Sequence, residues 1–368
     1  MTGSHLRDIL GELMLIPGLS GHEDRVRRAI TAHLDAAGIA SRHDRMGNLV
    51  ATIRGDPDAP RVMVFAHMDQ LGFVVRRIGD DGSVRVTRLG GIPERALASQ
   101  AVLLCAGDGS DVPGIIGNMN HHATLPEDRQ RVVSTLELRI DTGHDSRQSV
   151  EDAGIDIGTP VVYRPTVIDL AGSRVAGTSV DDRAGCAVLI GIARTLASSH
   201  PHPTVHLVFS VQEEFNLRGA VVAAQNLLPD IAIQIDLMLA TDTPDMADRG
   251  SMKLGGGPGI SLYSFHGRGT LNGVIPHPAA VRLFERAAAA ENIPLQRSAQ
   301  TGVLTDLSYV QLLGEGVVSI DIGFPMRHSH SSLEICDLAD LESLELLLMA
   351  VLARIGPDID LGREPAGP

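Results

Sequence analysis

Apolar residues along this chain fall into two alternating patterns. Short continuous apolar runs that stop abruptly in polar or acidic residues occur at RVMVFAHMD (Arg61 to Asp69), VHLVFSVQEE (Val205 to Glu214), DLMLATD (Asp236 to Asp242) and GVVSIDIG (Gly316 to Gly323). Such runs predict strands buried on both faces of a mostly parallel sheet. Between them DRAGCAVLIGIARTLASS, PAAVRLFERAAAAEN and, at the end, DLADLESLELLLMAVLARI carry apolar residues at helical spacing. Near the start, Ser20 followed by Glu23 predicts a capping box opening an amphipathic helix near 22–37, with Val26, Ile30, Ala32 and Leu34 on one face. Strands alternating with helices predict an α/β layer fold, a central sheet flanked by helices. From about Gly79 to Tyr163 the period drops to two, in SVRVTRL and STLELRID, with Gly, Pro and Asp turns between. That pattern predicts a small inserted β-barrel. The chain accordingly divides into a discontinuous α/β domain, residues 1–75 and 164–368, and an insert, residues 76–163.

Composition removes several classes of function. The 368 residues are 43% apolar and 21% charged, enough to bury a full core. Lys and Arg number 31 against 45 Asp and Glu, a formal net charge of −14. That balance opposes binding to nucleic acid or to an anionic membrane surface, so neither partner is expected. Cys105, Cys186 and Cys336 are far apart without a Cys-x-x-Cys pair, which supports neither a disulfide framework nor a zinc ribbon. Arg7, Asp8 and Glu12 interrupt what would have to be an apolar signal core, and no uncharged apolar stretch of about 18 residues occurs. A cytoplasmic protein with reduced thiols is the expectation.

Open α/β sheets place ligands at the carboxyl ends of their strands, and those ends here carry His67 and Asp69, Glu213 and Glu214, and Asp242. Asp181 and Asp182 open the helix after RVAGTSV, and His330 follows the strand ending near Gly323. Histidines with several carboxylates suit Zn²⁺, Co²⁺ or Mn²⁺. Asp69, two residues beyond His67, is placed to accept the proton of the unused imidazole nitrogen and fix the metal-binding tautomer. Each residue also has a plainer reading. Asp181 and Asp182 would serve as a helix cap, Asp242 as a turn residue in ATDTPD, and His328 and His330 as polar loop surface. The adjacent Glu213 and Glu214 repel and need positive charge nearby; on an extended segment one would ligate a metal while the other faces a water as general base. No Gly-x-Ser-x-Gly elbow, Walker A loop or Gly-x-Gly-x-x-Gly after a strand is present.

Taken jointly, AHMDQLGFVV, SVDDRAGCAVLI, VQEEFNLRGA, LATD and GFPMRHSHSSLEICDLADLE resemble the glutamyl aminopeptidase or tetrahedral (TET) aminopeptidase family of dinuclear metallopeptidases. The similarity extends to GLSGHEDRVR near the start and to RLGGIPERAL, VPGIIGN and IDIGTPVVY in the insert, nearly the whole chain. The resemblance implies that Asp181 bridges two divalent metals, that His67 and Asp242 complete one site, and that Glu214 and His330 complete the other. It makes Glu213 the general base, leaves Asp69 to orient His67, and aligns His330 rather than His328 with the family ligand because Ser331 follows it. It also implies a barrel that dimerises and helps build a hollow dodecamer, with the loop at His122 reaching a neighbouring subunit's site. Thr305 and Asp306 fall in a segment resembling a substrate-side loop. Thr178, Gln70 and Asn120-His121 depart from the family pattern and bear on substrate choice. The activity expected is hydrolysis of N-terminal peptide bonds in short peptides. The alternatives are a dinuclear hydrolase of a small non-peptide amide and a non-catalytic assembly protein that keeps the fold.

Overall fold

The computed structural model describes residues 3–107, 109–199, 201–267 and 272–364. Helices α1 (Gly3–Met14) and α2 (Asp24–Ala36) precede strands β1 (Ser41–His43), β2 (Leu49–Ile53) and β3 (Arg61–His67). Six strands follow, β4 (Gly72–Ile78), β5 (Val84–Leu89), β6 (Ala101–Leu104), β7 (Val112–Ile116), β8 (Ile140–Asp141) and β9 (Pro160–Tyr163), with α3 (Arg147–Asp152) before the last. The chain then runs through β10 (Val167–Asp169), β11 (Arg174–Gly177), α4 (Val180–Ala197), β12 (Thr204–Ser210), α5 (Gly219–Leu227) and β13 (Ile231–Leu239). It finishes with β14 (Gly259–Phe265), β15 (Gly273–Val274), α6 (Pro278–Glu291), β16 (Gln296–Thr301), α7 (Leu307–Val310), β17 (Val318–Met326), β18 (Glu334–Asp337) and α8 (Leu338–Leu352).

The large sheet has the order β1-β2-β12-β3-β13-β17-β14-β15, with β16 beside β14. Its centre, β12-β3-β13-β17, is parallel, while β2 and β14 join it antiparallel. The sheet is therefore mixed: the strands that position the site are parallel, and β16 also runs parallel to β14 at the far edge. Along β3 the side chains alternate between two cores. Val62, Val64 and Ala66 pack with α1, α2, α4, α6 and α8, whereas Met63 and Phe65 pack with α5 and α7. Burial of both faces explains why the strand reads as one unbroken apolar run.

Strands β4 to β9 close into a barrel in the order β4-β5-β8-β7-β6-β9. Its own core includes Phe73, Val75, Val86, Val102, Leu104, Ile140 and Val161. The first barrel strand begins at Gly72, so residues 72–75 belong to the barrel and not to the α/β part. The capping box also departs from expectation. Glu23 is the N-cap of α2 but makes no side-chain cap; its carboxylate accepts from the backbone N–H of Gly21 and of Gln212 instead. The Ser20 hydroxyl donates to Asp69. Val26, Ile30 and Leu34 form the buried stripe of α2, while Ala32 is exposed. All three cysteines are buried and free. Among the described residues no helix is long and apolar enough to cross a membrane.

Candidate metal centre

Strand β3 ends at His67, which is 1% exposed. Its Nδ1 lies 3.1 Å from the backbone oxygen of Asp69, and its Nε2 lies 2.9 Å from Oδ1 of Asp181. A carbonyl can only accept, so Nδ1–H is the donor, which leaves Nε2 facing the Asp181 carboxylate. His330 repeats the arrangement from the loop before β18. Its Nδ1 lies 2.9 Å from the Gly91 carbonyl, and its Nε2 lies 3.6 Å from Oδ2 of Asp181 and 3.9 Å from Oε1 of Glu214.

Two groups of donor atoms result, each with its members within 4.8 Å of one another: His67, Asp181 and Asp236, and Asp181, Glu214 and His330. Asp181 is common to both. Asp242, expected in the first group, lies elsewhere. Its carboxylate takes a two-pronged pair from Arg327, at 2.8 and 2.7 Å, and the backbone N–H of Leu254. The third donor is Asp236, inside β13. The strand spans Ile231–Leu239, so Asp236 is an interior residue and not the strand's start.

The two acids at the head of α4 divide their roles. Asp181 and Asp182 have non-helical backbone angles. Asp182 does the capping, with Oδ1 accepting from the Gly185 N–H and Oδ2 from the His67 N–H; Asp181 is left free to face the histidines. Asp69 differs from expectation as well. Its carboxylate lies 3.5 Å from Nδ1 of His67, but its hydrogen bonds come from the Ser20 hydroxyl at 2.5 Å and the backbone N–H groups of Glu213 and Glu214 at 3.0 and 3.1 Å. It is the Asp69 carbonyl that holds the His67 tautomer, and its carboxylate that pins the Glu213-Glu214 turn. That turn lies beyond the end of β12, with Gln212 at φ 58°, so the two glutamates are not on an extended segment. Both nevertheless line one cavity of about 510 Å³, with His67, Asp181, Asp236 and His330.

Glu334 was not anticipated from the sequence. It is 2% exposed and accepts from the backbone N–H of Asp181 at 3.1 Å and of His330 at 2.8 Å, one carboxylate tying together two of the donors. Thr305 lines the cavity, and Asp306 lies behind it, accepting from the Ser210 hydroxyl. His122 is exposed on the barrel and does not line the cavity of its own chain. A second cavity of about 430 Å³, on the barrel, holds none of the grouped donors.

The electrostatics favour cations. Burial pushes the Glu214 carboxyl up to about 8, and burial with Asp181 nearby pushes Asp236 up to about 7. Burial opposes protonation of His330, but Glu214 and Asp181 outweigh it and raise the ring to about 9. Oε1 of Glu214 is buried with no hydrogen-bond partner among the described residues. Imidazole nitrogens and carboxylates turned on one another in a buried space fit divalent metal, which takes the place of the protons and both neutralises and coordinates them. Glu213 belongs to neither donor group; burial, with Glu214 and Asp236 close by, holds its carboxyl well above the usual carboxylate range.

Comparison with known proteins agrees with this chemistry. Residues 47–347 match the family described as M42 glutamyl aminopeptidase. SgcX of Escherichia coli (strain K12) is 37% identical over 348 residues, covering 94% of this chain and 93% of that protein. The structure of an aminopeptidase from the archaeon Desulfurococcus kamchatkensis superposes with a TM-score of 0.91 at 32% identity, covering 97% of this chain and 96% of that one. A Pyrococcus horikoshii TET1 peptidase, which can assemble into a tetrahedron or a large octahedral shell, superposes with a TM-score of 0.85 at 28% identity, covering 95% of this chain and 100% of that one. The chain belongs to the M42 glutamyl aminopeptidase family, metal-dependent hydrolases that release residues from the N-termini of peptides.

Proposed function

We propose that this aminopeptidase works on short peptides through two divalent metals sharing Asp181, one held also by His67 and Asp236, the other by Glu214 and His330. The observation that carries the reading is the pair of imidazoles, each giving its Nδ1 proton to a backbone carbonyl and turning Nε2 on the same aspartate. Zn²⁺ or Co²⁺ suits this donor set best, and Mn²⁺ is compatible with it. When bound, such metals would polarise the scissile carbonyl and lower the pKa of the attacking water. Glu213, which the donor groups leave free, takes the proton from the attacking water and returns it to the departing amine. Asp69 holds Glu213 and Glu214 by their amides and so sets the spacing between base and ligand. Thr305 contributes to the substrate side of the cavity, with Asp306 supporting it. We further propose a cytoplasmic homo-oligomer in which the barrel forms dimers and the dimers build a dodecamer, with His122 presented to a neighbouring subunit's site.

The test pairs metal content per subunit with release of p-nitroaniline from a panel of amino-acid anilides, with and without a chelator. About two metals per subunit and chelator-sensitive release are expected. Glu213→Gln should keep its metal and lose about 10²- to 10⁴-fold in turnover. Retained turnover in that variant would overturn the assignment of the base.

A further inference from the structure

The cavity over the metal centre has a side pocket that bears on which first residue is taken. A space of about 20 Å³ shares Asp236, Leu239, Val303 and Thr305 with the main cavity. Asp321 and Ser264 also line it. Both are buried, at 1% and 3% exposure. Oδ1 of Asp321 accepts from the Thr305 hydroxyl at 3.0 Å. Its Oδ2 and the Ser264 hydroxyl have no hydrogen-bond partner among the described residues. Buried polar atoms are nearly always paired, and an unpaired one costs stability. Two of them in one pocket beside an active centre mark a place where a ligand supplies the missing partner. Burial first, and then the neighbouring acids Asp236 and Asp306, push the Asp321 carboxyl up to about 8.

Size and charge together restrict the occupant. The pocket has room for one water-sized group, which an ammonium matches and a guanidinium or carboxylate exceeds. Leu237, Leu239 and Val303 line both this pocket and the 510 Å³ cavity, an apolar lining suited to methylenes. Asp236 is both a donor of the metal centre and a wall of the pocket, so a residue whose carbonyl sits over the centre can send its side chain in. We propose that this pocket receives the side chain of the substrate's first residue and selects a primary ammonium at the end of an aliphatic chain, as in an N-terminal lysine. The proposal rests on the metal-centre reading given above. The opposing influence is Arg249, an exposed cation that lines the main cavity and would favour an acidic first residue if it governed the choice.

Two measurements separate the subsite from the catalytic reading. With metal-loaded enzyme, kcat/KM is compared for Lys-, Arg-, Leu- and Glu-p-nitroanilide. Lys is expected to lead Leu by about tenfold or more, the scale of one charge-assisted hydrogen bond, with Glu the poorest. Asp321→Asn, which can keep the Thr305 bond, should cut the Lys-to-Leu ratio about tenfold. Ser264→Val, which fills the pocket with methyls, should cut it in the same direction and serves if Asp321→Asn does not fold. A Glu or Leu preference in wild type, or an unchanged ratio in the folded variants, overturns the proposal. Independently of turnover, calorimetry with L-lysine and with L-norleucine, which lacks the ammonium, is run on metal-loaded Glu213→Gln protein. Tighter binding of lysine, lost on adding Asp321→Asn, supports the subsite even if no anilide is cleaved, an outcome that would sink the peptidase reading alone. Equal binding of the two amino acids overturns the subsite.

Discussion

Asp236 and Asp242 flank the carboxyl end of one strand and behave differently because of what stands beside each. Asp236 is buried among other acids with no arginine hydrogen-bonded to it among the described residues; Gln234 donates to its Oδ2 at 3.0 Å and the Leu237 N–H to its Oδ1 at 2.7 Å. Asp242 is paired through both oxygens with Arg327, and that guanidinium holds its carboxyl below the usual carboxylate range. Asp236→Asn is therefore expected to lower metal content and abolish most turnover, while Asp242→Asn keeps the metal. Metal analysis of the two variants decides it; metal loss in Asp242→Asn with none in Asp236→Asn would reverse the ligand assignment. The Asp242 pair is partly solvated, so its removal should cost about 1 kcal/mol or less. Because the folded pKa is depressed, that contribution is present above the unfolded value of 3.8 and fades as pH falls through the lower folded value. Wild type and Asp242→Asn should thus differ in denaturant midpoint at neutral pH and converge in acid. The sequence made Asp242 attractive because LATD ends an apolar run. What was not legible was the true start of that strand at Ile231, which turns Asp236 from a boundary residue into an inward-facing one. His67, Asp181, Glu214 and His330 were legible because each sits just past a strand or at a helix head, where polar residues after apolar ones stand out.

At the scale of elements, the second donor group depends on pieces brought together from distant parts of the chain. Strand β18 pairs with β11 so that Glu334 lies opposite Gly177, just before the head of α4 that carries Asp181. That register is what lets one carboxylate accept from the amides of both Asp181 and His330. Glu334→Gln replaces one acceptor with a donor that faces an N–H. It should weaken metal binding about 10- to 100-fold, as loss of outer-shell partners does, and cost about 1–3 kcal/mol in stability. Chelator competition and thermal melts measure both; unchanged affinity would remove the positioning role. The barrel contributes from the other side, through the turn after β5. Gly91 offers its carbonyl to His330, and a Cβ there would stand 2.9 Å from Nδ1 of that ring. Gly91→Ala is expected to lower metal affinity with the barrel still folded. An intact chelator titration in that variant would show that the ring has room to move aside. Neither residue was readable in advance, since Glu334 acts through strand register and backbone amides and Gly91 through its backbone carbonyl, which leave no periodic trace. The capping box failed for a related reason: Ser20 and Glu23 have the right spacing, but their side chains are claimed by Asp69 and by the amides of Gly21 and Gln212.

For the whole molecule, the barrel is fastened to the α/β part by more than its two chain crossings. Arg25 on α2 forms a two-pronged pair with Asp111 at 2.5 and 2.8 Å and also donates to the Ala106 carbonyl. A barrel so anchored can hold His330 from one face and present another face outward. The barrel surface carries apolar side chains outside its core: Ile115, Leu125, Val132 and Leu136 are each at least half exposed. In a chain of net charge −14, which repels its own copies, these exposed apolar residues on the barrel offer a surface for association, although Ile275, Leu312 and Leu346 on the α/β part are also exposed. The proposed assembly is therefore expected to fail when the barrel surface is charged. Leu125→Glu combined with Leu136→Glu should shift sedimentation velocity from the assembled species toward monomer. The barrel should stay folded, because neither side chain is in its core. His122, on the same module and away from its own chain's cavity, adds a second readout. If it serves a neighbouring site, the dissociated variant loses turnover while keeping its metal, since every grouped donor is supplied by one chain. Dissociation with full turnover would confine His122 to the surface, and a wild-type protein that sediments as a monomer would remove the assembly altogether.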